Sequence, residues 1–276
     1  MQLQTLAALL ALLVAQVAAQ NATLPETPTQ IHNVVYAVPE GQNIVQFAGT
    51  MRVPHLPHAG FYYLWPGLFL PNYGGVLQPV LSGATGQWSI NSTWYYAITQ
   101  DPAGQQDVQY VAFGVDEGDD VWFNMQKNDT WSITLAVPGT TKQSTNSFPM
   151  IEPAKADHIP YAVFEIELWS QVWDFGPLTF TNITIVSNGT SSSWCSDWPY
   201  ASETTFQVSG VTSTVGNEQV TCSIQSMVLE QPGGNATAEP APRTSQSTAA
   251  PSTGQRSAPL IYFACIMLSL PMLLLR

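Results

Sequence analysis

Two glutamates on one predicted strand are the first candidates for chemistry. Residues 161–169, Tyr-Ala-Val-Phe-Glu-Ile-Glu-Leu-Trp, alternate as a β-strand does, so Glu165 and Glu167 share one face with Val163 and Trp169. Along that face the two residues are about 7 Å apart. Two neighbouring carboxyl groups repel each other as anions, which raises the pKa of one of them and suits the pair to general acid–base work. The alternative is that this face is simply solvated.

A second candidate is the amide of Gln78. It lies in Gly-Val-Leu-Gln-Pro-Val-Leu, residues 75–81, and shares a strand face with two valines. An amide in such surroundings either makes a structural hydrogen bond or binds a ligand. His55 and His58 place two imidazoles near a turn, but no clear third ligand accompanies them, so we expect neither a metal nor another cofactor.

Composition excludes two classes of protein. The chain has 276 residues, with 7 Lys and Arg against 19 Asp and Glu, and a net charge of −12. A nucleic-acid partner is not expected, because binding phosphates requires basic charge. Aromatic residues make up 11% of the chain and charged residues only 9%, which excludes disorder for most of its length.

The elements that must position these residues are predicted to be strands. Residues 121–126, 131–137 and 219–229 alternate between apolar and polar, and Pro or Gly interrupts the chain about every 8–15 residues. This spacing is typical of an antiparallel β-sandwich. We therefore predict one all-β domain over residues 31–230, preceded by an N-terminal extension at residues 20–30.

Both ends of the chain predict export and attachment to a membrane. Residues 1–19 are apolar and end in small residues, as a cleaved signal peptide does. Residues 231–247 form a Ser-, Thr- and Pro-rich stalk, and residues 248–276 contain a polar spacer and a short apolar tail. That layout predicts a removed signal for a GPI anchor attached at Ser247, with a retained membrane helix as the alternative. The expected location is the extracellular face of the cell membrane.

Glycosylation and a disulfide fit the same compartment. Cys195 and Cys222 are the two cysteines outside the predicted tail, and we expect them to form a disulfide in an oxidising environment. Six Asn-x-Ser/Thr sequons predict N-glycans, which would supply the hydration that charged residues do not. They are Asn21, Asn91, Asn128, Asn182, Asn188 and Asn235.

Five segments match, in order and spacing, the sequence pattern of one family. They are Phe-Ala-Gly-Thr-Met-Arg-Val-Pro at 47–54, Val-Leu-Gln-Pro at 76–79, Asp-Glu-Gly-Asp-Asp-Val at 116–121, Ala-Val-Phe-Glu-Ile-Glu at 162–167, and Asp-Phe-Gly-Pro-Leu-Thr-Phe-Thr-Asn at 174–182. Together they resemble the glutamic peptidases of fungi, the eqolisin family, across about residues 33–185.

The resemblance implies both a fold and a mechanism. It implies a concanavalin-A-like sandwich of two seven-stranded antiparallel sheets, with Gln78 and Glu167 facing each other across a concave sheet. Glu165 takes the place of Glu167 if the register is displaced by two residues. The implied activity is that of an acid endopeptidase, in which the carboxylate activates water and the Gln amide stabilises the oxyanion.

The alternative is a lectin-like or glycosidase-type sandwich. The aromatic run Phe-Tyr-Tyr-Leu-Trp at 61–65 is able to line a groove for a glycan or a small molecule. Carboxylates on one strand face also occur in sandwich glycosidases. The expected substrate is accordingly a peptide or, in the alternative, a glycan.

Overall fold

The protein is nearly all β-structure. The computed structural model describes residues 28–70, 75–96, 108–148, 158–197, 199–202 and 204–232. Within these ranges the chain forms fifteen strands and one four-residue helix, α1 (Ser193–Ser196). The strands are β1 (Gln30–Ala37), β2 (Ile44–Arg52), β3 (Phe61–Phe69), β4 (Gly75–Ser82), β5 (Ser89–Tyr96), β6 (Val108–Gly114), β7 (Asp120–Lys127), β8 (Trp131–Ala136), β9 (Gln143–Phe148), β10 (Tyr161–Trp169), β11 (Leu178–Asn188), β12 (Tyr200–Ser202), β13 (Thr205–Ser209), β14 (Thr212–Gly216) and β15 (Gln219–Glu230).

The strands form two antiparallel sheets packed as a sandwich, which confirms the predicted fold class. The seven-stranded sheet has the order β12-β1-β10-β3-β4-β5-β6, and the eight-stranded sheet follows β13-β15-β11-β2-β7-β8-β9. The eighth strand, β14, also pairs with β15. The family resemblance implied seven strands in this sheet. The twelve-residue β15 is long enough for β13 and β14 to pair with its two ends in succession.

The main hydrophobic core lies between the sheets. In β8, Trp131, Ile133 and Leu135 are buried while the residues between them are not, as their alternation predicts. Phe164 of β10 packs at 5.2 Å between ring centroids against Phe47 of the facing sheet. Phe164 therefore faces the core, and Glu165 and Glu167, on the opposite face of β10, point away from it.

A disulfide joins Cys195 in α1 to Cys222 in β15, with 5.5 Å between their Cα atoms, and confirms the predicted pair. By the chain-entropy argument a loop of this length contributes about 3 kcal/mol to stability.

The predictions for the two ends fall largely on residues that are not described. The signal peptide at 1–19, most of the stalk, the anchor signal at 248–276, Ser247, Asn21 and Asn235 lie outside the described residues. Among the described residues, no helix has the length and apolar character needed to cross a membrane.

Candidate active site

The outer face of the seven-stranded sheet is buried over its three central strands. Almost every residue of β3, β4 and β10 is buried, whichever side of the sheet its side chain faces. A second apolar cluster, separate from the main core, forms on this outer face. It consists of Trp65, Phe69, Val76, Val80, Tyr95 and Val163. We call this surface the site face, because all the residues proposed for chemistry lie on it.

Glu165 and Glu167 lie on the site face, where the alternation of β10 places them. The exposed fractions of the two residues are 6% and 2%, so this strand face is not solvated. In the neighbouring strands, Asn33 of β1 and Trp65 of β3 are paired with Glu165, and Tyr63 of β3 is paired with Glu167. The Nδ2 group of Asn33 donates a long hydrogen bond of 3.4 Å to Oε2 of Glu165.

The pKa values of both carboxyl groups are raised. Burial raises the pKa of Glu165 well above its ordinary value, and the charge of Glu167 raises it further. Burial also raises the pKa of Glu167, to about 7, although a hydrogen bond from Glu165 lowers it in part. Burial is thus the largest influence on both carboxyl groups, and it favours their neutral forms.

Aromatic groups complete the surroundings of Glu167. Interactions with Trp169 and Trp65 lower the pKa of Glu167 in part, although the Nε1 atom of neither indole has a hydrogen-bond partner among the described residues. Burial, together with the charge of Glu167, raises the pKa of Tyr63 to about 12, so this phenol stays neutral. The groups around Glu167 thus offset only part of the effect of burial, and its pKa stays raised.

Gln78 lies on the same face, two strands away. Val163 of β10 is paired with Gly67 of β3, and the β3–β4 register places Gly67 opposite Gln78. Taking strand spacing and rise together, the Cα atom of Gln78 is about 12 Å from that of Glu165 and about 16 Å from that of Glu167. Of the two predicted partners, Glu165 is therefore the nearer one.

The amide of Gln78 is buried with free hydrogen-bonding capacity. Its exposed fraction is 3%, and its Oε1 atom has no hydrogen-bond partner within the described part of the chain. Leaving a buried amide oxygen unpaired costs free energy. A structural role for this side chain, which the sequence allowed, accounts poorly for that cost.

Two prolines, one on β3 and one on β4, lie next to Gln78 in the sheet. The β3–β4 register places Pro66 opposite Pro79, and neither residue has an N–H group to donate. Proline is rarely found in a central strand, because it removes a hydrogen bond from the ladder. The strands beside Gln78 are therefore held together less tightly than their neighbours.

The two histidines lie away from the site face. Nδ1 of His55 is 2.7 Å from Glu117, in an exposed pair. His58 contacts the hydroxyl group of Tyr62 at 3.0 Å and Gln171 at 2.9 Å. The described ranges contain no group of three His, Cys, Asp or Glu side chains able to hold a metal ion.

Three neighbours of the site were not identified from the sequence as parts of it. Trp65 was noted only as one member of an aromatic run, and its partner Gly67 gave no signal. Asn33 gave none either, because its contact with Glu165 depends on pairing between strands 132 residues apart in the chain.

Comparison with known proteins gives only distant structural similarities. No protein-family model matches the chain, and no curated protein sequence does. A crystal structure of Scytalido-glutamic peptidase with a peptide-based transition-state analogue is similar at 18% identity and a TM-score of 0.41, covering 73% of this chain and 100% of that one. SCP-B, described as a member of the eqolisin family and bound to the tripeptide Ala-Ile-His, has 17% identity, a TM-score of 0.41 and the same coverage.

A glycoside hydrolase is also similar. The β-glucanase of Bacillus licheniformis has 9% identity and a TM-score of 0.29, covering 72% of this chain and 78% of that one. None of these identities or TM-scores is high enough to transfer a function to this chain.

Proposed function

We propose that this protein is a peptide hydrolase of glutamic-peptidase type, with Glu165 and Glu167 as its acid–base pair and Gln78 as a donor to the oxyanion. The supporting observation is a pair of buried carboxyl groups, next to each other on the strand face that also holds the buried Gln78, whose amide oxygen has no partner among the described residues. Buried, interacting carboxyl groups with raised pKa values are typical of sites that move protons.

The proposed reaction needs one proton on the pair. The carboxylate of Glu167 accepts a proton from a water molecule as the water oxygen bonds to the peptide carbonyl carbon. Protonated Glu165 and the amide of Gln78 donate hydrogen bonds to the carbonyl oxygen as it gains negative charge. The proton then passes to the peptide nitrogen as the C–N bond breaks, and the pair is left with a single proton again.

The position of Gln78 favours Glu165 over Glu167 as its partner in the site. The Cα atoms of Gln78 and Glu165 are about 12 Å apart, and the ring of Trp65 packs over Gly67 on the strand between them. At about 16 Å, Glu167 is too far away to share a bound water molecule with Gln78. The proposal therefore gives Glu165, rather than Glu167, the place beside Gln78.

The raised pKa values also move the working pH. The anion that activates water forms only as the pH rises through the pKa of Glu167, at about 7. Below that pH both carboxyl groups are protonated, and the base is lost. We therefore expect hydrolysis near neutral pH rather than in the acid range that the family resemblance implies.

A glycosidase is less well supported. The carboxyl groups of a retaining pair are about 5–5.5 Å apart and those of an inverting pair are farther apart, so that a sugar or water fits between them. Here the two carboxyl groups are next to each other on one strand and interact directly.

Cleavage of an unfolded protein tests the proposal. Purified full-length protein is incubated with reduced, carboxymethylated ribonuclease between pH 3 and 9, and new peptide termini are identified by mass spectrometry. Glu167→Gln and Glu165→Gln should each lower kcat/KM by about 10²-fold or more, because they remove the base and the acid. Gln78→Ala should lower kcat while leaving KM nearly unchanged.

Asp120→Asn is the matched control, since Asp120 is an exposed carboxylate on the other sheet, paired with Arg52. It should leave kcat/KM unchanged. Absence of cleavage by the folded wild-type protein over the whole pH range, or full activity in the two glutamate variants, would refute the proposed function.

A further inference from the structure

One tryptophan on the eight-stranded sheet is exposed. The exposed fraction of Trp122 in β7 is 37%, whereas each of the other seven tryptophans in the described ranges is at most 5% exposed. Alternation along β7 buries Val121 and Phe123 and turns Trp122 outward. A single exposed apolar side chain is common on protein surfaces, so the meaning of Trp122 depends on what lies beside it.

A predicted glycosylation site lies on the same sheet, close to Trp122. Thr181 of β11 is paired with Thr50 of β2, and Thr50 is paired with Trp122. Asn182 is the next residue after Thr181, so its Cα atom is about 10 Å from that of Trp122, two strand spacings away. The asparagine side chain and the first sugar ring of an N-glycan together span about this distance.

A bulge in β11 directs Asn182 onto the outer face. The register of β11 with β2 shifts between Thr181 and Thr184, and Asn182 has a φ of +51°, in the left-handed region. Asn182 is exposed, while Ile183, the middle residue of the sequon, returns to the core and is only 1% exposed. Bulges re-aim side chains in this way. The side chain that would carry a glycan is therefore on the same face as Trp122.

The strand between Asn182 and Trp122 leaves room for a sugar. The outward residues of β2 at this level are Ala48 and Thr50, both of them small. Arg52, the next outward residue of β2, pairs with Asp120 at 3.0 Å, so its charge is neutralised. A neutral sugar that lies across β2 meets neither a bulky side chain nor an unpaired charge at these positions.

The groups around Trp122 suit a saccharide. The face of an indole is negatively polarised and packs well against the C–H groups on the face of a sugar ring. Asn124 and Gln126 are the next outward residues of β7. Nδ2 of Asn124 donates to Oε1 of Gln126 at 3.3 Å, and Oδ1 of Asn124 accepts a bond of 2.9 Å from Gln46. Amides both donate and accept hydrogen bonds, as the hydroxyl and acetamido groups of a sugar do.

We propose that the N-glycan of Asn182 lies across β2 and packs its first N-acetylglucosamine ring on the indole of Trp122. In the secretory host, C1 of this sugar bonds to Nδ2 of Asn182, one proton leaves that nitrogen, and the lipid diphosphate of the glycan donor is released. The glycan then covers the exposed indole, so this face is occupied by the protein's own sugar rather than by another protein. The inference is independent of the proposed hydrolase activity, which uses the other sheet.

NMR on the glycoprotein tests the contact. Full-length protein from a secretory host is treated with an endoglycosidase that leaves one N-acetylglucosamine on each site, and nuclear Overhauser effects to tryptophan rings are recorded. Protons of the sugar on Asn182 should show cross-peaks to Trp122 and be shifted upfield by its ring, and Trp122→Leu should abolish both effects. The sugar on Asn128, about 20 Å along β7 from Trp122, should show neither. Asn182→Gln and Asn128→Gln identify the two sets of sugar resonances.

Urea unfolding tests whether the contact stabilises the fold. Asn182→Gln removes the glycan and should raise the equilibrium constant of unfolding by about two- to ten-fold when Trp122 is present. In the Trp122→Leu protein the same change should have almost no effect. Asn188→Gln is the matched control, because it removes a sequon from the far end of the same strand, about 20 Å from Asn182. Its effect should be the same with either residue at position 122.

Three results would overturn the inference. They are a secreted protein without a glycan on Asn182, a glycan on Asn182 without cross-peaks to Trp122, and an effect of Asn182→Gln that is equal in the two backgrounds. The contact and the coupling, found in a protein without peptidase activity, would uphold the inference and refute only the proposed function.

Discussion

The outer faces of the two sheets differ in what their side chains contact. On the eight-stranded sheet the outward residues are mostly polar and several bond to one another across strands, as Gln46 does to Asn124 at 2.9 Å and Thr134 to Thr145 at 3.1 Å. On the seven-stranded sheet the outward residues of β3, β4 and β10 are buried and mostly apolar or aromatic. Two sheets that share one core thus have opposite outer surfaces.

Polar groups on the eight-stranded sheet are solvated, whereas those on the site face are buried at a cost in free energy. A Thr or Asn on the eight-stranded sheet has water as an alternative partner and costs little. On the site face, Glu165, Glu167 and Gln78 are buried among apolar side chains, where a carboxyl group or an unpaired amide destabilises the fold. Groups kept at such a cost are candidates for function.

The same substitution on the two sheets should give the largest effect. Val163→Asp places a charge in the buried cluster of the site face and should lower the free energy of unfolding by about 3–5 kcal/mol. Val215→Asp, in β14 of the eight-stranded sheet, affects a side chain that is 51% exposed and should change it by less than about 0.5 kcal/mol. Urea unfolding measures both. Similar losses in the two variants would show that Val163 is no better shielded from solvent than this exposed position at the edge of the other sheet.

If Val163→Asp does not accumulate, the isosteric Val163→Thr provides a milder test. It buries one hydroxyl group and should cost about 1–2 kcal/mol. Val215→Thr should not change the free energy of unfolding measurably. The two Val→Thr variants should therefore differ in the same direction as the two Val→Asp variants, by a smaller amount.

The pH dependence of stability is the next largest expected effect. The pKa of Glu167 is raised from 4.5 to about 7 in the folded protein, so the folded state binds more protons than the unfolded state between these values. Stability is therefore greatest below pH 4.5 and declines as the pH rises through about 7. The loss attributable to Glu167 is of the order of 3 kcal/mol.

Unfolding of Glu167→Gln between pH 4 and 8 checks this. The variant should show a flatter stability profile than the wild type across that interval. Asp120→Asn, on the exposed face of the other sheet, should keep the wild-type profile. A wild-type protein whose stability rises with pH in this interval would contradict the raised pKa.

Local pattern was enough to predict much of the fold. Alternation over 131–137 and 161–169 predicted two strands and their inward faces, because a side chain on a strand has only two directions available. A strand that departs from this alternation was also informative. β4 is buried on both faces, and Gln78 stands out in it as a polar residue.

The arrangement of the site was harder to predict from the sequence. Which of Glu165 and Glu167 is nearer to Gln78 depends on the register of β3 with both β10 and β4, which relates residues about 100 positions apart. The raised pKa values of the two glutamates depend on burial, which alternation alone left open. The position of the Trp65 ring depends on the space above Gly67, and no local pattern encodes that space.

The smallest expected effect concerns glycosylation, which should follow the same division between faces. Asn128, Asn182 and Asn188 are all exposed on the eight-stranded sheet, at a turn, a bulge and a strand end. Asn91 is paired with Val80, which places it on the site face. Its Oδ1 atom accepts a hydrogen bond of 3.2 Å from Thr93, the sequon residue that is itself buried.

A glycan on the Nδ2 atom of Asn91 would have to extend over the cluster beside Gln78. We therefore expect glycans at the three exposed sequons and an unmodified Asn91. Protein from a secretory host is treated with a glycosidase that releases N-glycans in ¹⁸O-water, and the labelled asparagines are identified by mass spectrometry. Asn91→Gln should leave the glycan mass unchanged, whereas Asn182→Gln should lower it. Full occupancy at Asn91 would mean that the site face is open enough at β5 to admit a glycan. The buried part of the outer face would then extend no farther than β4.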